Sequence, residues 1–129
     1  LAECQTIGGC RTGEAVITKG YKLPAKHVIH TVGPVYGSGN GEEDDLLADC
    51  YENSMRLAFE HDLHSIAFPN ISTGVYRYPK EEASEIAFRT VWRWVKSHPY
   101  YKFSRVYFVS YTAEDYDLNL FFFRQFDFS

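Results

Sequence analysis

The chain is short of several things a reader looks for first. It has three cysteines in 129 residues, Cys4, Cys10 and Cys50. An odd number without close pairing excludes a disulfide scaffold and points to free thiols in a reducing compartment. The expected location is therefore cytoplasmic. Cys4 and Cys10 lack the company a metal site needs, and His27, His30, His61, His64 and His98 show no ligand spacing with them, so no metal is expected. No apolar run approaches the length that spans a bilayer, and no signal-peptide pattern opens the chain. Basic residues are not in excess: the net charge is −4 and the pI about 5.7. That argues against a partner bound through a nucleic-acid backbone, which calls for a basic face. There is no internal repeat, no low-complexity stretch and no composition shift, so residues 1–129 read as one domain.

What is present is the balance of a globular domain, with 45% hydrophobic and 23% charged residues. A chain of this size buries roughly two-thirds of the surface its unfolded form exposes and needs no staples. Aromatic residues gather late, at Tyr100, Tyr101, Phe103, Tyr107, Phe108, Tyr111, Tyr116, Phe121, Phe122, Phe123, Phe126 and Phe128. Core packing is the expected role for most of them.

Strand and helix patterns alternate along the chain. Leu1-Ala2-Glu3-Cys4-Gln5 reads as the tail of a helix already under way, with Gly8-Gly9 as its C-cap. A segment upstream of Leu1 is therefore expected. Thr12 to Lys19 reads as a strand, Gly20 to Pro24 as a turn, and Lys26 to Val32 as a second strand stopped by Gly33-Pro34. His30 lies between valines there and is expected to be a hydrogen-bonded core histidine. The loop Gly37 to Gly41 leads to a helix from about Glu42 to Glu60, with Leu46, Leu47, Cys50, Ser54, Leu57 and Ala58 on one stripe. The acid run Glu42 to Asp45 reads as a solvated helix start favoured by the dipole.

Ser65 to Ile71 is the next strand, and its lack of alternation suits cover on both faces. Pro79 fits the first position of a helix through about Lys96, with Ala83, Ile86, Ala87, Val91, Trp94 and Val95 inward. Arg105 to Tyr111 is the last strand. Thr112 then caps a C-terminal helix, with Asp115 as a capping-box partner. Strands separated by helices predict an α/β fold, a largely parallel sheet with helices on both faces.

The most informative segment is Ser72 to Pro79, STGVYRYP, between a strand and a helix start. Such a loop makes an anion site, because backbone N–H groups point out of it and the helix dipole adds partial positive charge. Gly74 lets the backbone approach a ligand closely. Ser72 and Thr73 add hydroxyl donors, and Tyr76 offers a ring to a sugar. Small residues alone would equally suit an ordinary connection. In α/β sheets, however, ligands bind at the carboxyl ends of strands, where this loop falls. Tyr111 ends the last strand on the same edge. It can stack on a nucleobase or serve as a rim tyrosine.

These segments carry a family resemblance. IGGCRTGEAVITKGYKLPAKHVIHTVGPVY and LLADCYENSMRLAFEHDLHSIAFPNISTGVYRYP resemble a macrodomain, over Leu1 to about Tyr116. The resemblance is closest to the branch that hydrolyses O-acetyl-ADP-ribose and mono-ADP-ribosylated proteins. It implies a three-layer α/β/α fold lacking the family's first strands and helix. It also implies that Ser72, Thr73, Gly74, Val75, Tyr76 and Arg77 cradle the diphosphate and distal ribose of ADP-ribose, and that Tyr111 stacks on adenine. A water beside the diphosphate is implied to attack at the distal ribose, with no metal or cofactor. The family's acidic adenine reader, its Asn-containing segment and its Gly-rich loop have no counterpart here, so the catalytic groups are expected upstream of Leu1. Arg77 stands where the hydrolase branch commonly has Gly. It adds a cation and removes backbone freedom.

The expected function is ADP-ribose binding, with hydrolysis of O-acetyl-ADP-ribose or of an ADP-ribosylated acidic side chain by the complete protein. A non-catalytic reader of ADP-ribosylated proteins is the alternative. A binder of other phosphorylated nucleotides or RNA ends is disfavoured by the negative charge.

Overall fold

The computed structural model describes residues 11–19, 27–37, 41–71, 73, 77–110 and 112–126. The opening helix tail, the turn at 20–24, and Ser72, Gly74, Val75, Tyr76 and Tyr111 lie outside them. The elements are β1 (Ala15–Lys19), β2 (His27–Thr31), α1 (Glu43–Glu60), β3 (Ser65–Phe68), α2 (Lys80–Ser97), β4 (Arg105–Phe108) and α3 (Ala113–Gln125). The α/β alternation is as the patterns predict, and the ends of the strands differ for local reasons. Gly13, with φ of 84°, turns the chain before β1, leaving Thr12 only an isolated bridge to Val32. A Cβ there would come within 3.2 Å of the Leu46 side chain. Pro69 follows Phe68 directly and has no N–H to continue a ladder.

The pairing departs from a largely parallel sheet. β1 and β2 are antiparallel, with Ala15 opposite Thr31 and Lys19 opposite His27. β3 and β4 are parallel, with Ser65 opposite Arg105 and Phe68 opposite Phe108. Connection length explains both. A short link returns the chain alongside itself, whereas the 18-residue α2 between β3 and β4 is a crossover that restores direction. Among the described residues the strands form two separate pairs rather than one continuous sheet.

The core lies where α1 and α2 meet the inner face of β3–β4. Leu47, Tyr51 and Met55 of α1 and Ile86, Ala87, Val91 and Trp94 of α2 pack with Phe68, Ile66, Val106 and Phe108. Phe88 stacks on Phe108 with ring centres 4.0 Å apart. On the opposite face Ser65, Ala67, Arg105 and Tyr107 are exposed. α1 also carries the β1–β2 pair: the Asn53 amide donates to the Gly13 carbonyl at 2.8 Å and the Cys50 thiol to that of Val32 at 3.3 Å. His30 is hydrogen-bonded as expected, through Nε2 to the Thr18 hydroxyl at 2.8 Å.

The late aromatics split. Phe122 is buried and Phe108 packs against the core. Tyr100, Tyr107, Tyr116, Phe121 and Phe123 are exposed, against the expectation of core packing. The last helix explains part of this, since a 13-residue helix against one neighbour buries one stripe and leaves its remaining positions to solvent.

Candidate functional site

The parallel register of β3 and β4 puts their carboxyl ends side by side. The Val109 N–H donates to the Phe68 carbonyl at 2.8 Å, so the pairing continues to the edge of the sheet. The chain leaving β3 toward α2 and the chain leaving β4 toward α3 therefore start from adjacent points. Those two connections hold every candidate ligand residue: Ser72 to Arg77 in the first and Tyr111 in the second. Of these, the structure describes Thr73 and Arg77.

The first connection is held from both ends by tyrosines that no spacing argument singled out. At its start, the Tyr51 hydroxyl of α1 donates to the Pro69 carbonyl at 3.5 Å and accepts from the Ile71 N–H at 3.4 Å. The ring is 2% exposed. Burial pushes its pKa well above the usual tyrosine value, so it remains a neutral donor. At the far end, Tyr78 is also 2% exposed, and its hydroxyl donates to the Asp44 carboxylate. Burial first, then the bond to Asp44 and the charges of Asp44, Glu82 and Glu43, hold its proton on more firmly still. Asp44 belongs to the acid run read as a solvated helix start; it is exposed as expected, and it also anchors the loop's exit. Tyr36 meets Tyr78 edge-on, with ring centres 5.1 Å apart.

Between these clamps, the Thr73 hydroxyl donates to the Asn70 carbonyl at 3.5 Å. A hydroxyl has one proton, so donation to a ligand requires this bond to break. Arg77 is exposed and has φ of 60°, the left-handed region that glycine enters freely and other residues enter at a cost. This gives a physical reason why glycine suits the position and arginine is the departure. The turn through Arg77 delivers Tyr78 to its pocket and Pro79 to the helix start.

α2 begins at Lys80, with Pro79 at the N-cap rather than at the first helical position. The Ala83 N–H closes the first turn on the Pro79 carbonyl at 2.9 Å. Proline offers no side-chain acceptor, and among the described residues no side chain caps this helix. Its first N–H groups face the loop end. Lys80 bridges to the first turn of α3, with its ammonium 3.3 Å from the Asp115 carboxylate and 4.0 Å from that of Glu114.

The second connection is fixed on both sides of Tyr111. Ser110 accepts from the Asn119 amide at 3.0 Å, and Asn119 in turn accepts from Ser84 of α2 at 2.9 Å. Thr112 is the N-cap of α3 and accepts from the Asp115 N–H at 3.1 Å. The predicted cap is present, but the Asp115 carboxylate turns to Lys80 rather than completing a capping box. Among the described residues no group of three His, Cys, Asp or Glu could hold a metal, and no helix is long and apolar enough to cross a membrane.

Comparison with known proteins bears on this arrangement of strands and loops. A macro domain-containing protein of Chlorobaculum tepidum is 62% identical over 91 residues, covering 70% of this chain and 53% of its own length. The human ADP-ribose glycohydrolase MACROD2 is 46% identical over 120 residues, 92% of this chain and 28% of that protein. A solved structure of the Oceanobacillus iheyensis macrodomain with ADP is 35% identical, with a TM-score of 0.87 over 96% of this chain and 66% of that one. The chain spans about half the length of the bacterial relatives it matches. The Macro domain family model matches residues 1–87, which contain β1 to β3, α1 and the loop up to α2. With that match and a shared fold through nearly all of its length, the chain belongs to the macro domain family.

Proposed function

We propose that this chain binds ADP-ribose at the paired carboxyl ends of β3 and β4. The diphosphate and distal ribose lie against the backbone of Ser72, Thr73, Gly74, Val75 and Tyr76, with Arg77 beside them, and the adenine stacks on Tyr111. One observation carries the reading. The parallel register brings the loop before α2 and the segment around Tyr111 to one edge, and the α2 N-terminus there has no side-chain cap. Uncapped N–H groups and a helix dipole favour a bound anion. The relatives give the anion a chemical class, since one is solved with ADP and another is named an ADP-ribose glycohydrolase.

In the whole protein, the reaction that fits is hydrolysis of an ADP-ribosyl ester, either O-acetyl-ADP-ribose or a mono-ADP-ribosylated acidic side chain, in the cytoplasm. The loop's contribution is positioning: it holds the distal ribose where a water can reach the reacting carbon. No residue between Leu1 and Ser129 is assigned to the chemical step. The chain by itself is therefore expected to bind ADP-ribose and to release little or none from O-acetyl-ADP-ribose.

Crystals soaked with ADP-ribose test the binding site. Density for the diphosphate along 72–76 is the expected result, and density elsewhere on the molecule would overturn it. Full turnover of O-acetyl-ADP-ribose by the 129-residue chain would overturn the division between binding and chemistry.

A further inference from the structure

α2 and α3 run alongside each other, start to start. At the end nearer the proposed ligand edge their contact is polar. At the other end the rings of Trp92 and Phe126 meet with centres 5.6 Å apart. Three of the five buried polar side chains among the described residues, Ser84, Asp115 and Asn119, stand at the polar end, so polar burial is concentrated there. They form two rungs. In the first, the Lys80 ammonium lies 3.3 Å from Asp115 Oδ1, an oxygen that makes no hydrogen bond among the described residues and has this ammonium to offset its burial. In the second, the Ser84 hydroxyl donates to Asn119 Oδ1 at 2.9 Å. Lys80 and Ser84 are four residues apart on α2, and Asp115 and Asn119 four apart on α3, so each pair lies on one face, a turn apart. A serine in a helix can bond back onto its own backbone, as Ser54 does to the Cys50 carbonyl at 2.6 Å. Ser84 bonds across to α3 instead. The Asn119 amide passes the link on, donating to the Ser110 hydroxyl at 3.0 Å.

Both rungs hold at one axial register only. Sliding α3 along α2 by one turn in one direction sets Asn119 opposite Phe88, and in the other sets Ser84 opposite Phe123. Either way a buried polar group loses its partner, which costs more than repacking apolar side chains does. Polar pairs in an otherwise apolar helix contact fix register at some expense in stability. What the register fixes here is the distance between the start of α2 and the end of β4. We propose that Asn119 is a positioning residue for the ligand: through Ser84 and Ser110 it sets the spacing between the α2 start, which takes the diphosphate, and the segment of Tyr111, which takes the adenine. It touches no ligand itself. The spacing selects an adenine nucleotide whose base lies at a set distance from its diphosphate. This inference rests on the proposed ADP-ribose site and adds to it the residue that holds its two halves in step.

Asn119→Leu keeps the bulk of the side chain and removes both of its hydrogen bonds. Calorimetry on the complete protein is expected to show ADP-ribose binding weakened by about tenfold, part of the value of one base–aromatic stack. With Tyr111→Ala already in place, the same substitution is expected to change affinity by about twofold or less, because the stack it positions is gone. A residue that only supported the fold would cost the same affinity in both backgrounds, and that result overturns the proposal. Ser84→Ala cuts the same chain of bonds from the α2 side with a smaller change. It is expected to weaken binding in the same direction and with the same dependence on Tyr111, and it decides the matter if Asn119→Leu does not fold. A protein whose ADP-ribose binding ignores Tyr111→Ala overturns the adenine reading and the positioning role with it. One that responds to Tyr111→Ala and ignores both Asn119→Leu and Ser84→Ala overturns the positioning role alone.

Discussion

α2 and α3 start at the same edge of the sheet and are secured in opposite ways. α3 carries its own cap, Thr112, whose hydroxyl takes the Asp115 N–H. α2 starts at a proline, and among the described residues no side chain caps it. Its entry is held from a distance, by Tyr78 buried under the start of α1 and bonded to Asp44. A helix whose first turn is satisfied by its neighbour in sequence offers little to a ligand. A helix placed by tertiary contacts, with its first N–H groups left without a side chain, is available to an anion. The difference is why the proposed binding end is the start of α2 rather than that of α3.

Removing the distant clamp is the strongest way to break this comparison. Tyr78→Ala empties a site that is 2% exposed, and truncating a buried aromatic costs about 3–5 kcal/mol. Chemical denaturation is expected to show a loss of that size. A loss below about 1 kcal/mol would mean that the α2 entry is held by something else. Tyr111→Ala acts on the ligand and not on the clamp. It is expected to weaken ADP-ribose binding by about 1–3 kcal/mol, the value of one base–aromatic stack, with little change in stability. Calorimetry on the complete protein separates the two, and an unchanged affinity returns Tyr111 to a rim role.

Thr112→Ala tests the locally capped helix. Losing an N-cap hydroxyl costs about 1 kcal/mol, and ADP-ribose affinity is expected to hold if α3 only supports the site. A fall in affinity as large as that for Tyr111→Ala would erase the contrast between the two helix starts. The smallest effect belongs to Arg77→Gly. Glycine relieves a left-handed φ that costs an L-residue roughly 1–2 kcal/mol, and its own unfolded-state entropy returns about 0.5–1 of that. A net gain in stability of about 0–1.5 kcal/mol is expected. If the guanidinium also pairs with the diphosphate, ADP-ribose binding weakens at low salt and the deficit shrinks as salt screens the contact. Equal affinity of both proteins at low salt leaves Arg77 with a backbone cost and no binding role.

Much of this was legible before any coordinates. The 3.6-residue stripe of α1 holds, with Leu47, Cys50, Ser54, Leu57 and Ala58 buried, because an amphipathic pattern is local and repeats along the element. Tyr51 and Met55 lie on the same stripe, at i+4 and i+8 from Leu47, though the reading left them out of it; the approach of α2 and β3 encloses them. Asp44 is exposed as its run predicts, but its bond to Tyr78 was not legible, since that partner lies 34 residues away.

The amino-acid sequence by itself determined the order and type of the elements, the Thr112 cap, the family, and the loop to watch. Each depends on neighbours within a few positions or on a motif carried whole. Tertiary structure alone decided that β1–β2 is antiparallel and β3–β4 parallel, and that two tyrosines clamp the loop. Pairing direction and burial arise from elements far apart in the chain meeting in space, and no short stretch of residues encodes such a meeting.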